Sequence, residues 1–333
     1  MNESSPRAEY HYSIYGVRVT SDCPFHFTTA GGADEALAHV RITHRAIFPS
    51  SESASDAWFA CRQLADGSTY LRWRDLYEFN VAADGSQIAC RQLREGDVGV
   101  LQNFLFGQAL SFALVRQRFE PLHAAVVAIG EVAIGFLGDC TYGKSTLAAS
   151  FVEAGHRLVT DDLLMIGTRG GRLAAMPGSG RVKLEPDSAR AFLGDDARGV
   201  LLNRRSTRRS FPLPECAVQR QALPMECLFV LPSPPEREDT PAIEIRPLSR
   251  VATCRELLKN SFNIEILDND RLARQLTFAA DIASRIDACQ LRYPRGLHHL
   301  DAVRESVVEH VQRRIGRLSH ESDRPGDSAE AAI

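Results

Sequence analysis

The chain has 333 residues, 44% hydrophobic and 24% charged, enough to bury a full core and to build about two domains. A formal net charge of -3 excludes the basic field of a general nucleic-acid binder. No apolar run reaches membrane-spanning length, so neither nucleic acid nor membrane is an expected partner.

Residues 1–6 lack the basic and apolar stretches of a signal peptide, and a cytoplasmic location is the expectation. The eight cysteines are scattered, with no CxxC and no Cys/His cluster in sequence. That is neither zinc spacing nor a small disulfide framework, and most of them read as small buried hydrophobes.

Taken in chain order, residues 8–95 are β-prone. Residues 10–19 alternate polar and apolar, and Asp66-Gly67 and Asp84-Gly85 are hairpin turns between β-prone runs. They predict a small antiparallel sheet, with a helix near 34–41, as an N-terminal domain over 1–96. Val98, Leu101, Phe104, Leu105, Phe112 and Val115 then recur at helical spacing. That predicts a helix over 98–118 that packs onto the following core and marks the domain junction.

Strands are expected at 122–129 and 132–137, separated by Gly130-Glu131. A helix from Thr146 closes at Gly155, and an apolar strand over 156–166 runs into Asp161-Asp162 and continues. Gly170-Gly171 is a turn and 176–180 a loop. Pro186 suits an early position in a helix ending at Leu193. An Arg-rich loop spans 203–214, a buried strand 228–231 and a polar connection 232–241. Helices over 250–260 and 272–286, a strand over 289–293 and a helix over 299–315 complete a second domain, 97–316. The polar tail 317–333 is expected to be disordered.

Gly138-Asp139-Cys140-Thr141-Tyr142-Gly143-Lys144-Ser145 fits GxxxxGK[ST], with an apolar strand before it and a helix after it. In that context the backbone N–H groups of Gly138, Asp139, Cys140, Thr141, Tyr142, Gly143, Lys144, Ser145 and Thr146 cradle phosphate oxygens. Lys144 is expected against the outer phosphates and the Ser145 hydroxyl on Mg²⁺. Asp161-Asp162 lies one helix and one strand later, between apolar residues. One carboxylate of the pair suits the metal's water shell; the other suits accepting a proton from an attacking hydroxyl. His123 opens the first central strand. Arg204, Arg205, Arg208 and Arg209 form a basic cluster suited to phosphate or carboxylate, and Arg181 and Lys183 invite the same reading. Cys140, beside a helix N-terminus, is either a redox-sensitive thiol or a tolerated loop residue.

His123, the 138–145 loop and Gly155-His156-Arg157-Leu158-Val159-Thr160-Asp161-Asp162 together resemble the catalytic domain of HPr kinase/phosphorylase, where the last stretch is typically GHRLVADD. The resemblance extends weakly through 176–193, through Arg255-Glu256-Leu257-Leu258-Lys259-Asn260 and through Leu291-Arg292-Tyr293-Pro294. In detail the chain is similar to HPr-kinase-like proteins of peptide natural-product clusters, several of which phosphorylate a serine of a lasso-peptide precursor.

The resemblance implies an α/β fold of the HPr kinase/phosphoenolpyruvate carboxykinase type, with a P-loop kinase core behind the N-terminal β-rich domain. It implies ATP and Mg²⁺ as cofactors, with Ser145 and Asp161 toward the metal, and Lys144, His123, Asp161 and Asp162 as catalytic residues. A precursor peptide or small protein is the implied substrate, and a homo-oligomer the implied assembly. Alternatives are a kinase acting on HPr or on a small-molecule hydroxyl, or a nucleotide-gated binding module. The family's Leu-Glu-Ile-Arg-Gly signature is replaced by Leu173-Ala174-Ala175-Met176-Pro177-Gly178. A one-way kinase without phosphorylase activity is therefore expected.

Overall fold

The structure is a computed structural model that describes residues 8–25, 36–44, 48, 57–94, 98–203, 206–233, 242–263, 266 and 268–322. Its first sheet contains β1 (Tyr10–Ile14), β2 (Val17–Ser21), β3 (Ala38–His44), β4 (Phe59–Gln63), β5 (Thr69–Trp73), β6 (Tyr77–Val81) and β7 (Gln87–Gln92), in the order β1-β2-β3-β7-β6-β5-β4. The two Asp-Gly turns sit where expected, closing the β4–β5 and β6–β7 hairpins. Two expectations are corrected. The sheet is mixed, because β3 runs parallel to both β2 and β7. And Val40 and Ile42 alternate inward along a strand where a helix near 34–41 was expected. Residues 34–35 of that stretch lie outside the described residues.

The helix expected over 98–118 is α1 (Val98–Phe104) and α2 (Leu110–Arg116), joined by a π-helical turn over Leu105–Ala109. Its apolar side packs into a core that includes Leu163 and Ala174 of the second sheet, as expected, and the first sheet as well. Phe104, Leu105, Leu110, Phe112 and Leu114 pack with Val19, Ile42, Trp73, Phe79 and Ile88 of the first sheet.

The second sheet is built on β8 (Leu122–Ile129) and β9 (Val132–Leu137). After helix α3 (Lys144–Glu153) come β10 (Leu158–Thr160), β11 (Leu163–Leu164), and the β12 (Ile166–Arg169)/β13 (Arg172–Ala175) hairpin at Gly170-Gly171. A small separate sheet holds β14 (Arg181–Leu184), β15 (Val200–Leu201) and β16 (Arg209–Pro212), with α4 (Pro186–Leu193) between its first two strands. One of these strands, β16, lies within 203–214, where a loop was expected. The chain then returns to the large sheet as β17 (Leu223–Val230), β18 (Glu244–Pro247) and, after α5 (Arg250–Lys259) and α6 (Asn269–Arg285), β19 (Asp287–Arg292). Helix α7 (Leu300–Ser322) runs past 317, where disorder was expected; residues 323–333 lie outside the described residues.

β8 shows why the large sheet has two covered faces. Leu122, Ala124, Val126 and Ala128 meet residues of α5 and α6, including Leu257 and Ile282. Ala125, Val127 and Ile129 meet α3 and α7 residues, among them Phe151 and Val307. The period of two sends alternate residues to opposite cores. Buried phenylalanines such as Phe136, Phe151 and Phe229 each contribute about 1.5–3 kcal/mol relative to exposure. β9, β17 and β19 run parallel, so their carboxyl ends open on one edge. In such sheets that edge is where ligands bind. No described helix is long and apolar enough to cross a membrane.

Candidate active site

The 138–145 loop leaves the carboxyl end of β9 and enters α3 directly. Gly138, Thr141 and Gly143 have φ of 146°, 71° and 92°, which turns the chain tightly. Residues from neighbouring strand ends brace it. The Gly138 N–H donates to Asn260 Oδ1 at 2.9 Å, and Asn260 O accepts from the His123 N–H at 2.7 Å. Arg295, just past β19, donates to Tyr142 O at 2.7 Å and to Pro232 O at 3.2 Å. Asn260 and Arg295 are therefore part of the site's frame. Sequence reasoning gave Arg295 no role and took Asn260 only as part of a resembling stretch.

Within the loop, Asp139 Oδ1 accepts from the Cys140 N–H, and the Tyr142 N–H donates to Asp139 O. Thr141 Oγ1 donates to Cys140 O at 2.5 Å. Thr146 Oγ1 and Ser188 Oγ are 3.4 Å apart. Cys140 is exposed and unbridged. Lys144 differs in posture from the expectation. Its Nζ is folded inward, donating to Gly138 O at 2.6 Å and Asp139 O at 3.0 Å. Burial pulls the Lys144 ammonium below its ordinary pKa.

The aspartate pair sits in a break between β10 and β11, where Asp162 adopts φ of 82°. Thr160 Oγ1 donates across this break to Leu163 O at 2.7 Å. Threonine, standing where the resembling pattern has alanine, thus closes the kink from inside. The two carboxylates then point to different partners. Asp161 Oδ1 accepts from Ser145 Oγ at 2.8 Å, and its Oδ2 from the Lys183 N–H at 2.9 Å. Asp162 Oδ2 is 2.5 Å from Lys183 Nζ, and its Oδ1 is 3.4 Å from His123 Nε2. His123 reaches it because β11 pairs with β8 in the register Leu163↔His123.

The pair also separates electrically. Burial, followed by the negative charge of Asp162, pushes Asp161 above the ordinary carboxylate value. Burial alone would raise Asp162 too, but the Lys183 charge and the His123 hydrogen bond hold it well below. Tyr15 of the N-terminal sheet is buried beside them, and burial followed by the Asp162 charge pushes its hydroxyl up.

Two clefts meet at this point. One is lined by His123, Thr141, Lys144, Ser145, Thr146 and Arg208 among others and encloses about 580 Å³ of space open to solvent. The other lies under α1 and the π-helical turn and is lined by Tyr15, Gln102, Asn103, Asp161, Asp162 and Arg181 among others. Lys183 lines both. The π-helical turn brings Gly107 so near that a Cβ there would lie 3.1 Å from Asp162 Oδ2. Such turns recur at functional sites.

The structure thus gathers Lys144, Ser145, Asp161, Asp162 and His123, as the sequence reading expected. Of the basic residues, Lys183 and Arg208 line the cleft beside the 138–145 loop, with Arg208 Nη2 donating to Lys183 O at 3.1 Å. Arg209 turns away to Gly199 O, and Arg204 and Arg205 lie outside the described residues. Ser145 and Asp161 offer two hard oxygen donors side by side, a set that fits Mg²⁺. Ala174 and Ala175 stand in the replaced signature and are buried in β13.

A 53-residue stretch is 36% identical to the HPr kinase/phosphorylase of Prosthecochloris aestuarii (strain DSM 271 / SK 413). The match spans 16% of this chain and 16% of that protein. Among solved structures, the Hpr(Ser) kinase/phosphatase from Coxiella burnetii aligns with a TM-score of 0.35 and 15% identity, over 62% of this chain and 99% of that one. No protein-family model matches the chain.

Proposed function

We propose that this chain is an ATP-dependent, Mg²⁺-requiring kinase that phosphorylates a serine hydroxyl of a peptide. The observation that carries the reading is the 2.8 Å bond from Ser145 to Asp161, which ties the phosphate loop to a carboxylate whose neighbour, Asp162, opens on a second cleft. The short match to an HPr kinase/phosphorylase supports the same reaction class.

The loop N–H groups bind and orient the outer phosphates, and Lys144 turns from the loop carbonyls toward them. Ser145 and Asp161 hold the metal, which when bound neutralises charge on those phosphates. Asp162, ionised at neutral pH, accepts the proton of the attacking hydroxyl from the other cleft. His123 and Lys183 fix the direction of that carboxylate. Most of the rate enhancement is positioning and electrostatics, as in other phosphoryl transfers.

The cleft under α1 receives the acceptor, and the N-terminal sheet, which contributes Tyr15, recognises the rest of it. A ribosomally made precursor such as a lasso-peptide precursor, phosphorylated at a serine that is often C-terminal, is the substrate we favour. Arg181 and Lys183 would meet its acidic groups.

The test is mass spectrometry of precursor peptide incubated with the protein, ATP and Mg²⁺, with Asp162→Asn as the control. One phosphate gained on serine and lost in the control supports the reading. Intact nucleotide binding with no transfer to precursor, to HPr or to small-molecule alcohols would favour a nucleotide-gated binding module.

A further inference from the structure

Away from the clefts, on the opposite face of the large sheet from α5 and α6, three soft ligands converge. Cys227 lies in β17, Cys289 at the start of β19 and His310 on α7. Parallel pairing in the register Cys227↔Asp287 and Phe229↔Cys289 puts the two thiols on one face of neighbouring strands, one step apart along the diagonal. Both are buried; His310 is half-buried and stacks edge-on against Phe229. Cys289 Sγ is 3.7 Å from His310 Nε2, and one ligand atom from each residue lies within 4.8 Å of the other two. Ligand atoms around a tetrahedral zinc, bound at 2.0–2.3 Å, stand roughly 3.3–3.8 Å apart. Closing the cluster onto a metal needs only small side-chain movement.

We propose that Cys227, Cys289 and His310 form a zinc site that clamps α7 to β17 and β19. Two thiolates and a neutral imidazole are the ligand chemistry zinc takes, and a water completes the tetrahedron on the partly exposed His310 side. Binding releases both thiol protons to solvent and leaves the ligand–metal unit neutral, which suits a buried position. Arg314, a turn further along α7, is turned to carboxylates: Nη1 donates to Asp287 Oδ2 at 2.5 Å, and Nη2 is 3.6 Å from Glu226. The site is invisible to sequence spacing because its three ligands come from three separated elements. Along the sheet it lies short of the 138–145 loop: Cys227 is level with Ile134 and Cys289 with Phe136, and the loop begins past Leu137.

The test uses the full chain, purified under reducing conditions without chelator, and zinc or cobalt alone as the probe. Expected are one zinc per chain by elemental analysis and, after exchange into Co²⁺, a thiolate-to-cobalt charge-transfer band. His310→Ala and Cys289→Ser should each weaken zinc by more than the roughly 10- to 100-fold that loss of an outer-sphere partner costs. Zinc should raise the melting temperature of the wild type but not of the variants, whose folding is checked by circular dichroism. Absence of stoichiometric zinc and of the cobalt band in well-folded wild type would overturn the proposal. So would zinc affinity unchanged in both variants, or loss of two mass units showing a Cys227–Cys289 disulfide.

Discussion

Lys183 Nζ lies 2.5 Å from Asp162 Oδ2, and the same lysine borders both clefts of the candidate site. It comes from β14, a strand in a small separate sheet, and its own N–H donates to Asp161 Oδ2. One residue thereby fixes both aspartates, with its backbone on one and its ammonium on the other. Lys183→Met should lower kcat for phosphotransfer by about 10²–10³, the range for losing one charge-directing donor. The Kd for ATP should rise by a smaller factor, because Lys183 lines the cleft beside the loop while the loop and Lys144 are untouched. Steady-state kinetics paired with ATP titration would check this, and an unchanged kcat would remove Lys183 from the machinery.

Asn260 links the 138–145 loop to the strand that carries His123. Its Oδ1 takes the Gly138 N–H, its O takes the His123 N–H, and its Nδ2 donates to Glu256 O at 2.8 Å. Asn260→Ala strands a buried donor, at a cost of about 1–3 kcal/mol. Much of that should fall on the loop, so the Kd for ATP should rise about tenfold, equivalent to about 1.4 kcal/mol. Isothermal titration would measure it. A Kd equal to wild type would mean that the loop keeps its shape without this contact.

The kink at the aspartate pair depends on a close approach between Thr160 and Gly178. A Cβ on Gly178 would lie 2.3 Å from Thr160 Oγ1 and 2.9 Å from Tyr15 Cε1, and the Gly178 N–H already donates to Val159 O at 2.7 Å. Gly178→Ala should therefore cost about 1–3 kcal/mol of stability. Thr160→Ala should cost about 1 kcal/mol for the lost bond to Leu163 O. Removing the threonine also removes its part of the clash, so the double variant should be more stable than the sum predicts, by about 0.5 kcal/mol or more. Urea unfolding of the four proteins decides it; strict additivity would show that the two residues do not press on each other.

The phosphate loop, Asp161, Asp162 and His123 were legible in sequence because each belongs to a local pattern whose flanks fix its backbone. Asn260 and Arg295 meet the loop only after long-range contacts, from the turn after α5 and the exit of β19. No spacing rule reaches across such distances. The same limit explains the corrected sheet. Hairpin turns announce antiparallel neighbours, but β3 pairs in parallel with strands far from it in sequence. The helix over 98–116 shows in the period, yet the period cannot say that its apolar side also covers the first sheet.

Arg271 is fully buried on α6 and holds the chain that follows Asn260. It donates to Phe262 O at 2.5 Å, to Asn263 O and to Ile266 O, and faces Glu120 Oε2 at 3.3 Å. Burial lifts the Glu120 carboxyl above its ordinary 4.5, while Arg271 and then Arg274 pull it back down. The folded state therefore holds this proton more tightly than the unfolded state does. Glu120's contribution to stability is fully present below about pH 4 and declines as pH rises through the window just above 4.5. Glu120→Gln should flatten that decline. Arg271→Met should do the reverse, because it leaves the carboxylate buried and unpaired. Its loss at neutral pH should be about 3–5 kcal/mol, with the decline reaching to higher pH. Chemical denaturation of the three proteins between about pH 4 and about pH 8 would measure both effects. A wild-type stability rising across that window, once Glu120→Gln is subtracted, would reverse the sign and overturn this account of the pair.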